Sequence, residues 1–180
     1  LNRLDAKTGR FVRFFHEPAR AGSLANDWVY ALHRGHSGEL WIGTVGGGID
    51  RWDEARGQFL NLRPSQLTGG EATLDDIFAL HEGPDGRLWA GTRGGLVVIE
   101  PASGTGRLVN VGTGTQPLVT AMRPDGRGQL WVTSMQHGVI TVDLRSGTAT
   151  RAEIRFGRRA GADDPAQPLL SVATGPHHVF

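Results

Sequence analysis

The sequence predicts an all-β protein built from four-stranded antiparallel blades, the unit of a β-propeller. Three observations support this fold class: a recurring tryptophan motif, short apolar segments between turns, and 27 glycines in 180 residues. Trp41, Trp89 and Trp131 each end a stretch of the form Gly-x-Leu-Trp. Their spacings of 48 and 42 residues match a repeat that forms one blade, about 40–50 residues long.

The second copy shows the pattern of one blade most clearly. Four apolar segments follow one another, at residues 77–80, 88–92, 96–99 and 107–111. Glycine, proline and aspartate separate them, and Gly and Asp favour tight turns because they tolerate positive φ. The first and third copies repeat this order. No window has the 3.6-residue period of a long helix, and only residues 17–26 and 65–73 could hold a helical turn.

The same repeat divides the chain into one propeller segment of about four blades, three whole and two partial. Residues 1–14 match residues 49–62 at a constant offset of 48, which predicts the outer half of a blade. Residues 170–176 look like the first strand and turn of another copy. We therefore expect a segment of a larger protein. The predicted parts are 1–22 (outer half-blade and linker), 23–67, 68–112 and 113–156 (blades), 157–168 (linker) and 169–180 (start of the next blade).

The first copy resembles the two-component regulator propeller repeat. Residues 26–32, 38–44 and 46–53 follow its order of a polar pair, an apolar strand, Asp-x-Gly-x-Leu-Trp-Ile-Gly-Thr and Gly-Gly-Leu-x-Arg. All three copies share the likeness. Copy one has Ser37 in place of the usual Asp. Copy three inserts two residues, Arg127 and Gly128, and has Thr133-Ser134 in place of Gly-Thr.

This resemblance implies a sensory role. Such repeats build large propellers, usually seven-bladed, in the extracytoplasmic (periplasmic) input region of hybrid histidine kinases or diguanylate cyclases. We therefore expect a non-enzymatic, ligand-binding segment of a membrane-anchored signalling protein, with a small molecule or carbohydrate as its ligand. Two alternatives remain open: a segment of a propeller lyase or glycoside hydrolase, and a protein-interaction or dimerisation platform.

Composition excludes several other classes. The absence of cysteine excludes disulfides, Cys-ligated zinc and thiol nucleophiles. A net charge of +1 provides no field that would attract nucleic acid. The apolar runs are too short to span a bilayer, so we expect no direct membrane contact from this segment.

Catalytic and metal-binding patterns are also missing from the sequence. It contains no Gly-x-Ser-x-Gly, phosphate loop or His-Glu-x-x-His. Neighbouring carboxylates point apart on a strand, and His33 and His81 share one repeat position, which favours a structural role. We predict no catalytic residue, no metal site, with His177-His178 the weak exception, and no cofactor.

The candidate site is one rim of the propeller. The loop that enters each first strand and the turn between the second and third strands should share that rim, and there the copies differ. Variable polar and aromatic loops on a regular scaffold are typical of recognition surfaces. The predicted ligand-binding residues are Asp27, Trp28, Asp76, Arg93, Gln136 and His137.

Incomplete blades predict assembly. An unpaired strand edge and an apolar flank are templates for pairing with another chain. Residues 1–14 and 169–180 could complete each other within one chain, giving a small ring. We favour instead a closed pair of chains, because blades shaped for a larger ring would need a sharp change of angle to close at four.

Overall fold

The computed structural model describes residues 1–111 and 116–152, which form four antiparallel sheets. A two-stranded hairpin comes first, followed by three four-stranded sheets, blades 1, 2 and 3, each with its strands in chain order. The hairpin consists of β1 (Asn2–Asp5) and β2 (Arg10–Arg13). Blade 1 consists of β3 (Val29–Arg34), β4 (Leu40–Thr44), β5 (Gly48–Asp53) and β6 (Gln58–Leu62). Blade 2 consists of β7 (Ile77–Glu82), β8 (Leu88–Thr92), β9 (Gly95–Glu100) and β10 (Thr105–Leu108). Blade 3 consists of β11 (Val119–Pro124), β12 (Gln129–Ser134), β13 (Gly138–Asp143) and β14 (Ala149–Arg151).

These sheets confirm the predicted all-β fold, with three whole blades and a partial one at the N-terminus. Helical residues among those described are few: α1 (Pro64–Thr68) and a single 3₁₀ turn (Ala72–Asp75), both overlapping the region predicted for a helical turn. Neither is long or apolar enough to cross a membrane. The linker predicted at 157–168, the blade start predicted at 169–180 and His177-His178 lie outside the described residues.

Blades 1 and 2 each pack against the next blade through the tryptophan of the second strand. Trp41 is 4% exposed and lies in an apolar cluster with Ile77 of blade 2. Trp89 is fully buried in a second cluster with Val119 of blade 3. The equivalent Trp131 is only partly buried, and its sheet is the last that the structure describes. The predicted inter-blade role of the repeated tryptophan is therefore met by the first two, and Trp131 is less buried than expected.

The first strands of the blades lie side by side, with β7 in contact with both β3 and β11. In a propeller these strands form the channel wall. Each has a register shift near its start, at Tyr30, Phe78 and Thr120. Such a bulge re-aims the side chain at the extra residue, so the three residues occupy one special position on the wall.

The glycine that follows each of the first two tryptophans lets the next blade approach closely. A Cβ at Gly43 would lie 2.6 Å from Ile77 Cγ2, and a Cβ at Gly91 would collide with Val119 Cγ1. Ile77 and Val119 are the first residues of β7 and β11. Because Gly43 and Gly91 have no side chain, the first strand of the neighbouring blade can pack directly against their backbone.

One buried carboxyl interrupts the apolar packing of blade 1. Asp50 in β5 is fully buried, where blades 2 and 3 have Val97 and Ile140. Burial raises the pKa of Asp50 to about 6, although hydrogen bonds from the Ala25 N–H (2.9 Å) and Asn61 Nδ2 (3.4 Å) oppose the shift. Asp50 thereby ties the loop before β3 to the sheet.

We predict that Trp89→Ala lowers the free energy of unfolding by roughly 3–5 kcal/mol, the usual cost of truncating a large buried aromatic. Trp131→Ala is the matched control, because it removes the same side chain from the same strand position where burial is incomplete, and its loss should be smaller. Urea unfolding of both variants measures the difference. Equal losses, or a loss under about 1 kcal/mol for Trp89→Ala, would refute the inter-blade role.

We also predict that Gly91→Ala destabilises the protein by about 1–3 kcal/mol, the cost of overpacking a close contact. Val119→Ala should relieve that clash. The double variant is then less destabilised than the sum of the single variants by about 0.5–3 kcal/mol, the range for residues in contact. Strict additivity in the double-mutant cycle would show that the two residues do not touch.

Candidate functional site

One rim of the blades is formed by the same contact three times. The turn after each second strand donates a backbone hydrogen bond to the residue that enters the first strand of its own blade. The three bonds run from Val45 N–H to Trp28 O (3.0 Å), from Arg93 N–H to Asp76 O (3.1 Å) and from Met135 N–H to Leu118 O (3.2 Å). The entering loop and the turn therefore share one rim, as the repeat predicts.

Blade 2 supplies the charged part of this rim. Arg93 Nε donates to Asp76 Oδ2 at 2.5 Å. The Arg93 side chain remains 54% exposed and that of Asp76 16% exposed. The guanidinium also lies over the ring of Phe78, 5.9 Å from its centroid. The carboxylate and the ring hold one face of Arg93, and its outer face is open to solvent.

Aromatic side chains from two blades extend the rim down the channel wall. Tyr30 and Phe78, at the bulge positions of β3 and β7, meet edge to face with 5.1 Å between ring centroids. Trp28 precedes β3. Trp28 is 73% exposed and Tyr30 is 68% exposed, although rings of this size are normally buried. Tyr30 and Phe78 were not among the residues predicted for the site. The only available signal was an aromatic residue at the same position of two copies.

Asp27 and Gln136 serve as acceptors for the backbone. Asp27 Oδ1 accepts from the N–H of His16 in the preceding loop (2.8 Å), and Gln136 Oε1 accepts from Leu118 N–H (2.8 Å). His137 N–H donates to Ser134 Oγ at 3.2 Å. These side chains and backbone groups shape the loops of the rim. Four of the six predicted residues are exposed, namely Asp27, Trp28, Arg93 and Gln136, and the other two are partly buried.

Asn26 and Gly46 are not among the six predicted ligand-binding residues, but they lie at the junction of the two rim segments. Asn26 Oδ1 accepts from Trp28 N–H at 2.9 Å, which fixes the start of β3. A side chain at Gly46 would begin 3.9 Å from Asp76 Oδ1 and 4.0 Å from Asn26 Nδ2. The rim of blade 1 therefore reaches the charged pair of blade 2. Gly46 has a φ of +76°, which only glycine adopts without strain.

The buried Asp75 has a structural role beside the rim. It accepts from Ser65 N–H (2.9 Å), Ser65 Oγ (2.7 Å) and Arg63 Nη1 (3.3 Å). These bonds anchor α1 to the loop before β7. Throughout residues 1–111 and 116–152, no group of three or more His, Asp or Glu side chains is arranged to hold a metal ion.

The family described as two component regulator propeller matches residues 23–46 and 73–94, which run through the second strands of blades 1 and 2. A comparison with curated proteins gave no match. Many solved structures are similar in fold.

Two of these structures come from Bacteroides thetaiotaomicron. The extracellular domain of the hybrid two component system BT3049 has a TM-score of 0.70 and 22% identity, covering 83% of this chain and 20% of that one. The extracellular domain of the hybrid two component system BT4673 has a TM-score of 0.66 and 19% identity, covering 86% and 19%. This chain thus spans about a fifth of their length.

A third similar structure is an enzyme. Virginiamycin B lyase from Staphylococcus aureus, in a catalytically inactive form with quinupristin, has a TM-score of 0.70 and 16% identity. The alignment covers 97% of this chain and 52% of the lyase chain. At these identities the likeness concerns the fold. The chain is a β-propeller segment, and the two parts of it that match the two component regulator propeller family are the parts in which the sequence resembles that repeat.

Proposed function

We propose that this segment is a non-enzymatic, ligand-binding part of the extracytoplasmic input region of a bacterial two-component or diguanylate cyclase signalling protein. The observation that carries the proposal is the exposed aromatic surface of Trp28 and Tyr30, which continues through the Tyr30–Phe78 contact to Arg93 over the Phe78 ring. Solvent-exposed aromatic rings beside a fixed charge on a rigid rim are typical of recognition sites. The protein-level context rests on the repeat family and on its similarity to extracellular sensor domains.

The ligand proposed for this surface is a small polar molecule or carbohydrate. Aromatic rings stack on the apolar face of a sugar, and an arginine–carboxylate pair offers donors and an acceptor to hydroxyl groups. Trp28 and Tyr30 supply the rings, and Arg93 and Asp76 supply the polar pair. The net charge of +1 does not favour nucleic acid. Periplasmic placement follows from the same proposal.

The rim carboxylates give no support to the glycoside hydrolase alternative. A glycosidase needs two carboxyl groups that flank the reacting bond, one free to give up a proton and one free to accept. The predicted rim carboxylates are both engaged: Asp27 accepts from His16 N–H, and Asp76 is paired with Arg93. Neither is placed as a free general acid or base.

We predict that the double variant Trp28→Ala/Arg93→Ala loses binding at least tenfold. Isothermal titration of a panel of mono- and oligosaccharides against the unaltered chain selects the probe. The free energy of unfolding should change by no more than about 0.5 kcal/mol, because both side chains are exposed. Phe11→Ala/Arg13→Ala is the matched control, an exposed aromatic and arginine pair on the hairpin. Unchanged affinity in the rim variant would place the site elsewhere, and turnover of any panel sugar would support the enzyme alternative.

One observation favours the alternative that this segment is a protein-interaction or dimerisation platform. The hairpin exposes Leu4 (54%) and Phe11 (65%), which lie directly opposite each other on β1 and β2. Among the described residues, β1 pairs only with β2, so its other edge has no partner strand in that part of the chain and could pair with another chain. We propose that the isolated chain self-associates through this hairpin.

We predict that light scattering at micromolar concentration shows a dimer that dissociates on dilution. Leu4→Lys/Phe11→Lys should give a monomer, because charges on an open edge block pairing with another strand. Leu32→Lys is the control: Leu32 is also exposed, at 59%, but lies on the channel wall. If the unaltered chain stays monomeric at every concentration, the self-association proposal is rejected.

A further inference from the structure

Below the rim, at the far end of the first strands, blades 1 and 2 meet through two histidines. His33 in β3 and His81 in β7 occupy equivalent positions, each opposite the repeated tryptophan of its own blade, Trp41 and Trp89. The imidazole rings contact each other with 5.5 Å between centroids and 69° between their planes. Both rings are partly buried, so each titratable ring belongs to the contact between the blades.

A hydrogen bond from β7 to a histidine of β3 joins the two strands at this point. The N–H of Glu82, the last residue of β7, donates to His33 Nε2 at 3.0 Å. Since Nε2 accepts, the His33 imidazole is neutral and carries its proton on Nδ1. A protonated His33 would present an N–H at Nε2 to the N–H of Glu82. The bond therefore exists only while His33 is unprotonated.

The charged surroundings of this junction are mixed. The Glu82 carboxylate accepts from His36 N–H (3.2 Å) and lies 3.3 Å from His36 Nδ1. Glu82 favours protonation of both rings, whereas His36 opposes it. The other charged residues near the junction are Arg34 at the end of β3, Glu39 in the turn after it, and Arg123 at the equivalent position of β11. Burial is nevertheless the dominant effect: it lowers the pKa of His33, and it lowers the pKa of His81 to about 4.

We propose that this junction is a proton-operated latch between blades 1 and 2. Protonation of His33 removes the acceptor for Glu82 N–H, and a charge on His81 beside it repels a charged His33. Mild acid therefore separates the ends of β3 and β7, and neutral pH closes them.

The pH range follows from the direction of the shifts. A histidine whose pKa is lowered in the closed state stabilises that state above the ordinary value of 6.5, and this contribution disappears as the pH falls toward the folded value, about 4 for His81. The latch thus loosens between about pH 6.5 and 4. Global stability is a poor measure of it, because the pKa of Asp50 is raised to about 6 and that carboxyl favours folding on acidification over the same range.

Amide hydrogen exchange of the 180-residue chain tests the latch locally. The protection factor of the Glu82 amide, corrected for intrinsic exchange, should fall at least roughly fivefold from pH 7 to pH 4.5, as expected for the loss of one hydrogen bond. The control is the neighbouring Gly83 amide, which donates to Arg87 O at 2.8 Å within blade 2 and should keep its protection. Parallel loss at both amides, or no loss at Glu82, would overturn the proposal.

A variant and a spectroscopic measurement complete the test. In His33→Gln the side-chain oxygen can accept the Glu82 N–H but does not titrate, so the pH dependence of Glu82 protection should weaken to the part that His81 causes. An unchanged drop in this variant would overturn the latch. Nitrogen NMR of the unaltered protein should show the His33 imidazole as the Nδ1–H tautomer at pH 7. An Nε2–H tautomer would overturn the proposal even if His33→Gln does not fold.

Discussion

The structure depends on how the second strand of one blade packs against the first strand of the next. The second-strand tryptophan of one blade lies in the core that it shares with its neighbour, and the glycine two residues later leaves room for the neighbour's first strand. Trp89 and Gly91 meet blade 3 in this way, with Val119 in both contacts. Because interiors are close-packed, these contacts fix the spacing of the first strands, and the Tyr30–Phe78 contact and the His33–Glu82 bond both lie between two of those strands.

Blade 3 shows what happens when the glycine two residues after the tryptophan is replaced. Thr133 replaces the glycine there, and its hydroxyl lies 2.8 Å from Thr120 Oγ1 on the first strand of the same blade. Thr120 takes the bulge position that Tyr30 and Phe78 fill in the other blades. A polar pair within one blade thus replaces the aromatic wall, so the two departures from the repeat occur together and confine the aromatic surface to blades 1 and 2.

The features that repeat along the chain could be predicted from the sequence. The features that depend on contacts between side chains from different parts of the chain could not. The strands and the tryptophan positions were predictable because three copies in phase report the same backbone. The burial of Asp50 was not, since its position is apolar in the other copies and its partners Ala25 and Asn61 lie outside its strand. Asp27 was assigned to the rim by its variability, yet its carboxylate accepts from a loop amide. Variability identifies an exposed loop without showing whether a side chain is already occupied by the backbone.

The aromatic surface and the histidine latch lie toward opposite ends of the same two strands. The Tyr30–Phe78 contact and the Glu82–His33 bond both require β3 and β7 at their closed spacing. A ligand that binds across the aromatic pair favours the closed strands, whereas a proton on His33 favours the open ones. Linkage is reciprocal, so the ligand must lower the proton affinity of His33 by the same factor by which the proton lowers the affinity for ligand. Coupling of this kind needs no contact between the two sites, because both act on the spacing of one pair of strands.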